Sequence, residues 1–319
     1  MIDFQEILVD QVTAAHATRV SERGHRLFHY TDVNKFESIY ESDSIWFGAL
    51  TDMNDPMEIS YGIKFIEYIF EEFIVASEDR HARRFTKLML DQLEHFENYY
   101  SSVFVFCLTA NEPNLLHWRL YGDDGCGVAL EFEKQHLLQL SAQNRDHTFF
   151  LTPVIYDQND RKAIGNAISE HFQSVVGSDT WKSQMESASE DNLAQIAQSS
   201  LTTLGLLPLI LKSNNYRIES EWRIVVLPTR KQRQTLQSPD DSGREYYPVP
   251  LELLVPRPNK LKSPTLGQIH LGPWLSLEEN KAMFVRKMRQ ASDRHPNKIL
   301  NNKYKKSDLK YRPKNPTSL

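Results

Sequence analysis

Two cysteines, Cys107 and Cys126, are all that 319 residues provide. Both lie in apolar, strand-like runs, so a disulfide framework is not what stabilises the chain, and a reducing, cytoplasmic setting is expected. No stretch approaches the roughly 18 consecutive apolar residues of a membrane helix, and no membrane association is expected. The acidic opening Met1-Ile2-Asp3-Phe4-Gln5-Glu6 has no basic region followed by an apolar one, so no secretory leader is expected. The usual nucleotide cradles are missing too: neither a GxxxxGK(S/T) loop nor a GxGxxG after a strand occurs. Nor is there an HExxH, a paired CxxC set or a GxSxG elbow, which removes the common zinc sites and the α/β-hydrolase nucleophile. No internal repeat is visible.

What is present is globular composition, 40% hydrophobic and 11% aromatic, enough to build a sizeable core. The net charge of −5 hides an asymmetry. From Arg286 onward there are eleven Lys or Arg against Asp293 and Asp308, while the preceding residues carry 26 basic and 40 acidic groups. A basic end on an acidic body is a solvated tail, a strap over its own surface, or an arm for nucleic acid or another acidic partner.

Hydrophobic periodicity predicts a helix over residues 3–20, a strand at Arg26–Tyr30 and a helix after it capped by Thr31 or Asp32. A strand follows at Ser44–Phe47. Asp55, Pro56 and Glu58 then have the spacing of a capping box. The helix after it carries Ile63, Ile66, Phe70 and Phe73 on one stripe, and the next carries Phe85, Leu88, Met89, Leu93 and Phe96. Strands are expected at Val103–Leu108, Gly127–Phe132, Phe149–Tyr156, Tyr246–Val249, Leu251–Val255 and Gln268–Leu271. A last helix is expected to be capped by Ser276. The irregular interleaving predicts an α+β fold: one domain over 1–290 around a mainly antiparallel sheet, with a helical insertion at about 160–211 and a basic tail at 291–319.

Glu219-Ser220-Glu221-Trp222-Arg223-Ile224-Val225-Val226-Leu227 reads as a strand closed by Pro228. A period of two places Trp222, Ile224 and Val226 on one face and Glu219, Glu221 and Arg223 on the other. Ionisable groups at the mouth of an apolar strand are costly unless paired or used. The plainer reading is a structural Glu221–Arg223 salt bridge. Three more polar and aromatic clusters lie at element ends: His29-Tyr30-Thr31, Asn54-Asp55-Pro56-Met57-Glu58 and Trp118-Arg119-Leu120-Tyr121-Gly122. Asp123 and Asp124, beside Gly125, are turn formers before they are metal ligands.

These four clusters, with Gly127-Val128, the closing Ile269-His270-Leu271-Gly272-Pro273 and Tyr311-Arg312, occur in the order found in a bacterial family known only as domain of unknown function 2971. The resemblance runs over about residues 25–312. More distantly the layout resembles ADP-ribosyltransferases, and Glu219-x-Glu221 is similar to their ExE element. That likeness implies a split sheet and an enzyme that moves ADP-ribose from NAD to a protein or nucleic acid.

On that reading Glu221 stabilises the oxocarbenium-like transition state, Glu219 orients or deprotonates the acceptor, and Arg223 holds Glu221 ionised. His29 and Thr31 are expected to hydrogen-bond the NAD ribose or amide. Tyr30, Tyr61 or Trp118 offers a stacking face, Arg119 meets the pyrophosphate, and Asn54 and Asp55 complete the rim. A nucleic-acid contact through the basic tail, a neutralising antitoxin and a role in phage defence are further expectations. The alternatives are a nucleotide or nucleic-acid binding module without turnover, and a magnesium nuclease using Glu219, Glu221 and Asp123.

Overall fold

The computed structural model describes residues 2–20, 25–53, 57–93, 96–143, 148–238, 243–255, 267–294 and 304–309. Helices and strands are interleaved from the start: α1 (Gln5–Val20), β1 (Arg26–Thr31), α2 (Val33–Ser42) and β2 (Ser44–Ala49), then the long α3 (Glu58–Ala76) and α4 (Arg80–Leu93). Next come β3 (Phe104–Thr109), α5 (Leu115–Tyr121), β4 (Val128–Glu133), α6 (Lys134–Gln143) and β5 (Thr148–Pro153). Four helices follow: α7 (Gln158–Val176), α8 (Asp179–Ser187), α9 (Glu190–Leu204) and α10 (Leu207–Ile210). Then β6 (Glu221–Leu227), β7 (Tyr246–Pro250), α11 (Leu251–Leu254), β8 (Ile269–Leu271), α12 (Glu278–Arg294) and β9 (Tyr304–Lys305) complete the described chain.

These elements gather into two units, each built from three separate stretches. One comprises Met1–Glu22, Leu50–Ser102 and Pro153–Ile218; the other comprises Arg23–Ala49, Val103–Thr152 and Glu219–Leu319. The first unit is helical. Its core centres on Phe172, whose ring meets Phe73 at 4.7 Å, Phe70 at 5.2 Å and Phe4 at 6.3 Å between centroids. Asp157, Ser178 and Ser189 cap α7, α8 and α9 with their side-chain oxygens. The helices expected over 160–211 are therefore present, and with α1, α3 and α4 they make a unit larger than an insertion. Glu190–Ile210 is long and apolar enough to span a membrane by composition. It is two helices, α9 and α10, and Leu193, Ala197, Leu201 and Leu204 are buried in the unit, which is the behaviour of a core helix.

The second unit holds all nine described strands in one open, mostly antiparallel sheet of order β5-β6-β3-β1-β4-β8-β9. β8 and β9 run parallel. The sheet forks at β3. One edge of β3 pairs with β6 along its length, Phe104↔Val226 through Thr109↔Glu221. The other edge is shared: β2 pairs near Phe104 and Val105, and β1 pairs at Thr109. The apolar core lies on the face carrying Phe104, Phe106, Leu108, Ile224, Val226, Leu130 and Phe132.

Several local expectations are corrected. Leu251–Val255 holds a helical turn, α11, instead of a strand; a continuous apolar run has no period of its own, and Leu251 and Leu254 are both buried at helical spacing. Ser276 does not cap α12: its hydroxyl donates to Gly272 O at 2.9 Å and accepts from Ser307 N at 2.8 Å, fastening the segment that follows β9. The helix expected after a capping box starts at Glu58, with Met57 in the cap position and no side-chain cap; Asn54, Asp55 and Pro56 lie outside the described residues. Asp32, by contrast, caps α2 as expected, accepting from Lys35 N at 2.7 Å.

Candidate functional site

Strand β6 brings its charges inside. Arg223 is fully buried and Glu221 is only 7% exposed. They form a fork-to-fork pair, Nε to Oε1 at 2.9 Å and Nη2 to Oε2 at 3.1 Å. The register sets their surroundings: Glu221 lies across from Thr109 and Arg223 from Cys107. Paired strand residues share a face, and Phe28 is in register with Thr109. The pair therefore projects from the sheet face opposite the main apolar core, together with Phe28, Tyr30, Cys107 and Thr109. The plainer salt bridge anticipated from the sequence is present, in the buried form in which neither charge is left alone.

Glu219 is not part of the strand. It ends a 3-10 turn (Asn214–Glu219), and Ser220 between the two carboxylates has a φ of 46°. A non-glycine residue in the left-handed region stores strain and breaks the period of two, so Glu219 departs from the row that Glu221 and Arg223 occupy. Its half-buried carboxylate accepts from Tyr121 Oη at 2.5 Å. Its backbone carbonyl accepts from Thr109 Oγ1 at 2.7 Å and lies 3.3 Å from His117 Nε2.

Trp118 to Tyr121 lie on the last turn of α5, and Gly122 is its C-cap. Asn114 caps α5, its Oδ1 accepting from His117 N at 3.1 Å and lying 3.0 Å from His117 Nδ1. Both ring nitrogens of His117 thus face oxygen acceptors, and a neutral ring donates to one at a time. Burial holds the His117 imidazole below its ordinary value, against the opposing pull of Glu219. Trp118 is fully buried, with its ring edge-to-face on Tyr30 at 4.8 Å and both packed beside Phe28 and Ala129. A ring covered on all sides cannot stack on a ligand, so the expected base-stacking role of Trp118 is withdrawn. Tyr30 is buried in the same cluster, and burial pushes its phenol well up. Arg119 projects outward from α5 towards Asp124, Nε to Oδ1 at 3.6 Å. Asp123 and Asp124 have φ of 49° and 48°, the left-handed turn geometry anticipated for them.

His29 and Thr31 project from the other face. Alternation along β1 places Leu27, His29 and Thr31 with Phe132, Leu130 and Val128, their register partners on the core side. Thr31 is buried there, which removes it from any surface shared with Glu221. His29 fills the fork: its Nδ1 donates to the Cys107 carbonyl at 2.9 Å, and its ring lies 4.2 Å from that of Phe106. It supplies a partner to a β3 carbonyl where β1 and β2 diverge. Its expected contact with a ribose gives way to this structural one.

Burial, opposed by the Cys107 hydrogen bond and aided by the Lys35 charge, lowers the His29 pKa from 6.5 to about 4. A lowered imidazole keeps the folded form neutral while the unfolded chain takes up the proton. Stability from His29 is therefore complete above pH 6.5 and is lost as the pH falls towards about 4. The expected result is that urea midpoints of His29→Asn fall less steeply than those of the parent across that window; parallel curves would refute the assignment.

Of the remaining expected site residues, Tyr61 belongs to the helical unit, where the Arg161 guanidinium lies 5.5 Å from its ring centroid. Sequence reasoning missed Thr109, His117 and Asn114, and passed over Tyr121 within its own motif. Only strand pairing brings Thr109 beside Glu221, but a histidine next to the Trp-Arg motif was a usable signal. A second carboxylate on this face, Glu131, accepts from His270 Nε2 at 2.6 Å. Burial alone would raise the Glu131 carboxyl, but the His270 bond and charge, with Arg26 and Lys305, hold it below the ordinary range.

Fold and site together define a mixed α/β protein with an open antiparallel sheet and a buried carboxylate–guanidinium pair at the start of β6. Residues 117–224 match the model of a family described as a protein of unknown function, DUF2971. The match takes in the Trp-Arg cluster and the Glu219–Arg223 stretch; it carries no activity with it. No curated protein and no solved structure matches the chain.

Proposed function

We propose that this protein is an ADP-ribosyltransferase-like enzyme that takes ADP-ribose from NAD, with Glu219 as the carboxylate that meets the ligand. The observation that carries this reading is the turn at Ser220. It separates a carboxylate locked in a buried ion pair from one that stays half-exposed and anchored by Tyr121. Backbone strain of this kind, on the order of 1–3 kcal/mol, is characteristic of working sites.

Loss of nicotinamide develops positive charge on the ribose, and an ionised carboxylate beside it stabilises that charge. Glu219 fills this role in the proposal. The Glu221–Arg223 pair is its fixed charged floor, where the sequence had cast Glu221 as the working group. Arg119, exposed on α5, offers its fork to the pyrophosphate. An NAD-consuming activity of this kind fits a toxin or phage-defence protein held in check by a neutralising partner, with a protein or nucleic acid as acceptor.

The test is incubation of the purified protein with labelled NAD, followed by mass spectrometry of nicotinamide and of protein and nucleic-acid fractions. Glu219→Gln is expected to lower nicotinamide release by about 10²–10⁴-fold, in the range for a positioned carboxylate, with melting unchanged. Absence of both release and transfer in the parent protein overturns the proposal. Tight NAD binding without turnover would favour the binding module, for which the buried pair is a ready scaffold. The nuclease alternative has no supporting observation: among the described residues no group of three or more His, Cys, Asp or Glu is placed to hold a metal.

A further inference from the structure

We propose that the outer face of α4 binds the phosphate backbone of a nucleic acid without reading its sequence. The helix buries Ala82, Phe85, Met89 and Leu93 on its inner side. Arg80, Arg83, Arg84 and Lys87 fall at i, i+3, i+4 and i+7 on the opposite side, and all four are exposed. At 1.5 Å per residue the stripe spans about 10 Å. With Glu78 and Leu88 it lines a surface depression of about 410 Å³.

Arg84 is paired with Glu190. Among the described residues, Arg80, Arg83 and Lys87 have neither an ion pair nor a side-chain hydrogen bond. The other acids close by include Glu78 at the rim, Asp91 one turn on, Glu186, which lies 3.9 Å from His81 Nε2, and Asp79, which also lies 3.8 Å from Lys182 Nζ. The Asp79 Oδ1 accepts from His81 N at 2.8 Å and Ala82 N at 3.0 Å, so the helix end is already capped and the side-chain stripe is what remains open.

For folding alone this arrangement is unfavourable. Like charges at i, i+3 and i+4 repel by a few tenths of a kcal/mol per pair, and cations in the first turn oppose the helix dipole. An anion lying along the stripe reverses the sign of both terms. The net charge of the chain is −5, so attraction must be local.

The chemistry of the patch selects the anion. Three of its four cations are arginines, whose planar fork matches phosphate oxygens. No aromatic stands in the stripe to stack a base, and Leu88, half-buried, is the apolar residue that lines the depression with it. A membrane surface helix or a protein interface would present apolar or aromatic anchors here. A row of phosphodiesters asks only for spaced positive charge. The inference is independent of NAD chemistry at Glu219 and places a nucleic-acid contact on described structure, apart from the basic C-terminal residues.

Fluorescence anisotropy tests it, with full-length protein, a labelled duplex of about 20 base pairs, its scrambled counterpart, and salt from about 50 to 200 mM. The expected result is equal affinity for both duplexes, with log K falling against log salt at a slope of about −3 for three or four phosphates. Arg83→Glu with Lys87→Glu is expected to weaken binding at least tenfold and to bring the slope about 2 units closer to zero. Both positions are exposed, so melting should not change. No binding at the lowest salt overturns the proposal. So does unchanged affinity in the double variant, which would assign the contact to the basic residues after Arg286, and so does capture by anionic vesicles in place of duplex.

Discussion

Replacing Glu221 with glutamine is expected to destabilise the folded protein by about 3–5 kcal/mol, the usual result of stripping one partner from a buried ion pair. Both carboxylate oxygens are engaged by Arg223, whose guanidinium is fully buried. An amide in that place takes the pair's negative charge and one of its two acceptor oxygens away from a buried guanidinium. Urea titration should show a lower midpoint at an unchanged slope. Replacing both residues, Glu221→Leu with Arg223→Met, should recover most of the loss, because apolar residues of similar volume commonly do as well as the pair. A glutamine variant as stable as its parent would refute this account of the site. Loss of activity in that variant alone says little about chemistry; the informative pair is Glu219→Gln beside the double replacement.

Gly127→Ala should be almost as damaging, by about 3 kcal/mol, at the upper end of overpacking. A Cβ at this position would lie 2.2 Å from the Thr31 carbonyl oxygen and 2.9 Å from that of Gly122. Both obstacles are backbone, and both belong to structure that cannot step aside. Thr31 is the last residue of β1, and the Gly122 carbonyl accepts from Gly127 N at 2.9 Å. The shift would loosen the β1–β4 pairing and the seat of α5 together. Gly48 is the control: no atom lies within 4 Å of its Cβ position, so alanine there should change stability by less than about 1 kcal/mol. Thermal melts of the two variants decide it, and equal melting temperatures would refute the close-approach argument.

The parts of the fold that could be read in advance are those with local causes. The stripes of Phe70 and Phe73 and of Phe85 and Met89 repeat at helical spacing, and they form α3 and α4. Asp32 precedes an apolar-periodic run, and it caps α2. Leu251–Val255 failed because a continuous apolar run is compatible with either period, and its outcome rests on what the neighbouring strands leave room for. The candidate site divides the same way. That Glu221 and Arg223 share a face followed from their spacing. That His29 and Thr31 stand on the opposite face from them did not, because alternation within one strand says nothing about its phase relative to another until pairing is known.

The sequence by itself determined that this chain is α+β, that its two cysteines are not joined in a disulfide, and that Glu219–Arg223 joins charge to an apolar strand. Those are properties of composition and of near neighbours. Only the tertiary structure decided that Glu221 is neutralised inside and that Ser220 turns Glu219 away from it. It alone decided that Trp118 is core and that His29 closes the fork between β1 and β2. Each of these depends on which residue a distant segment places within hydrogen-bonding or van der Waals reach. Strand register and burial fix that choice, and both are properties of the assembled sheet.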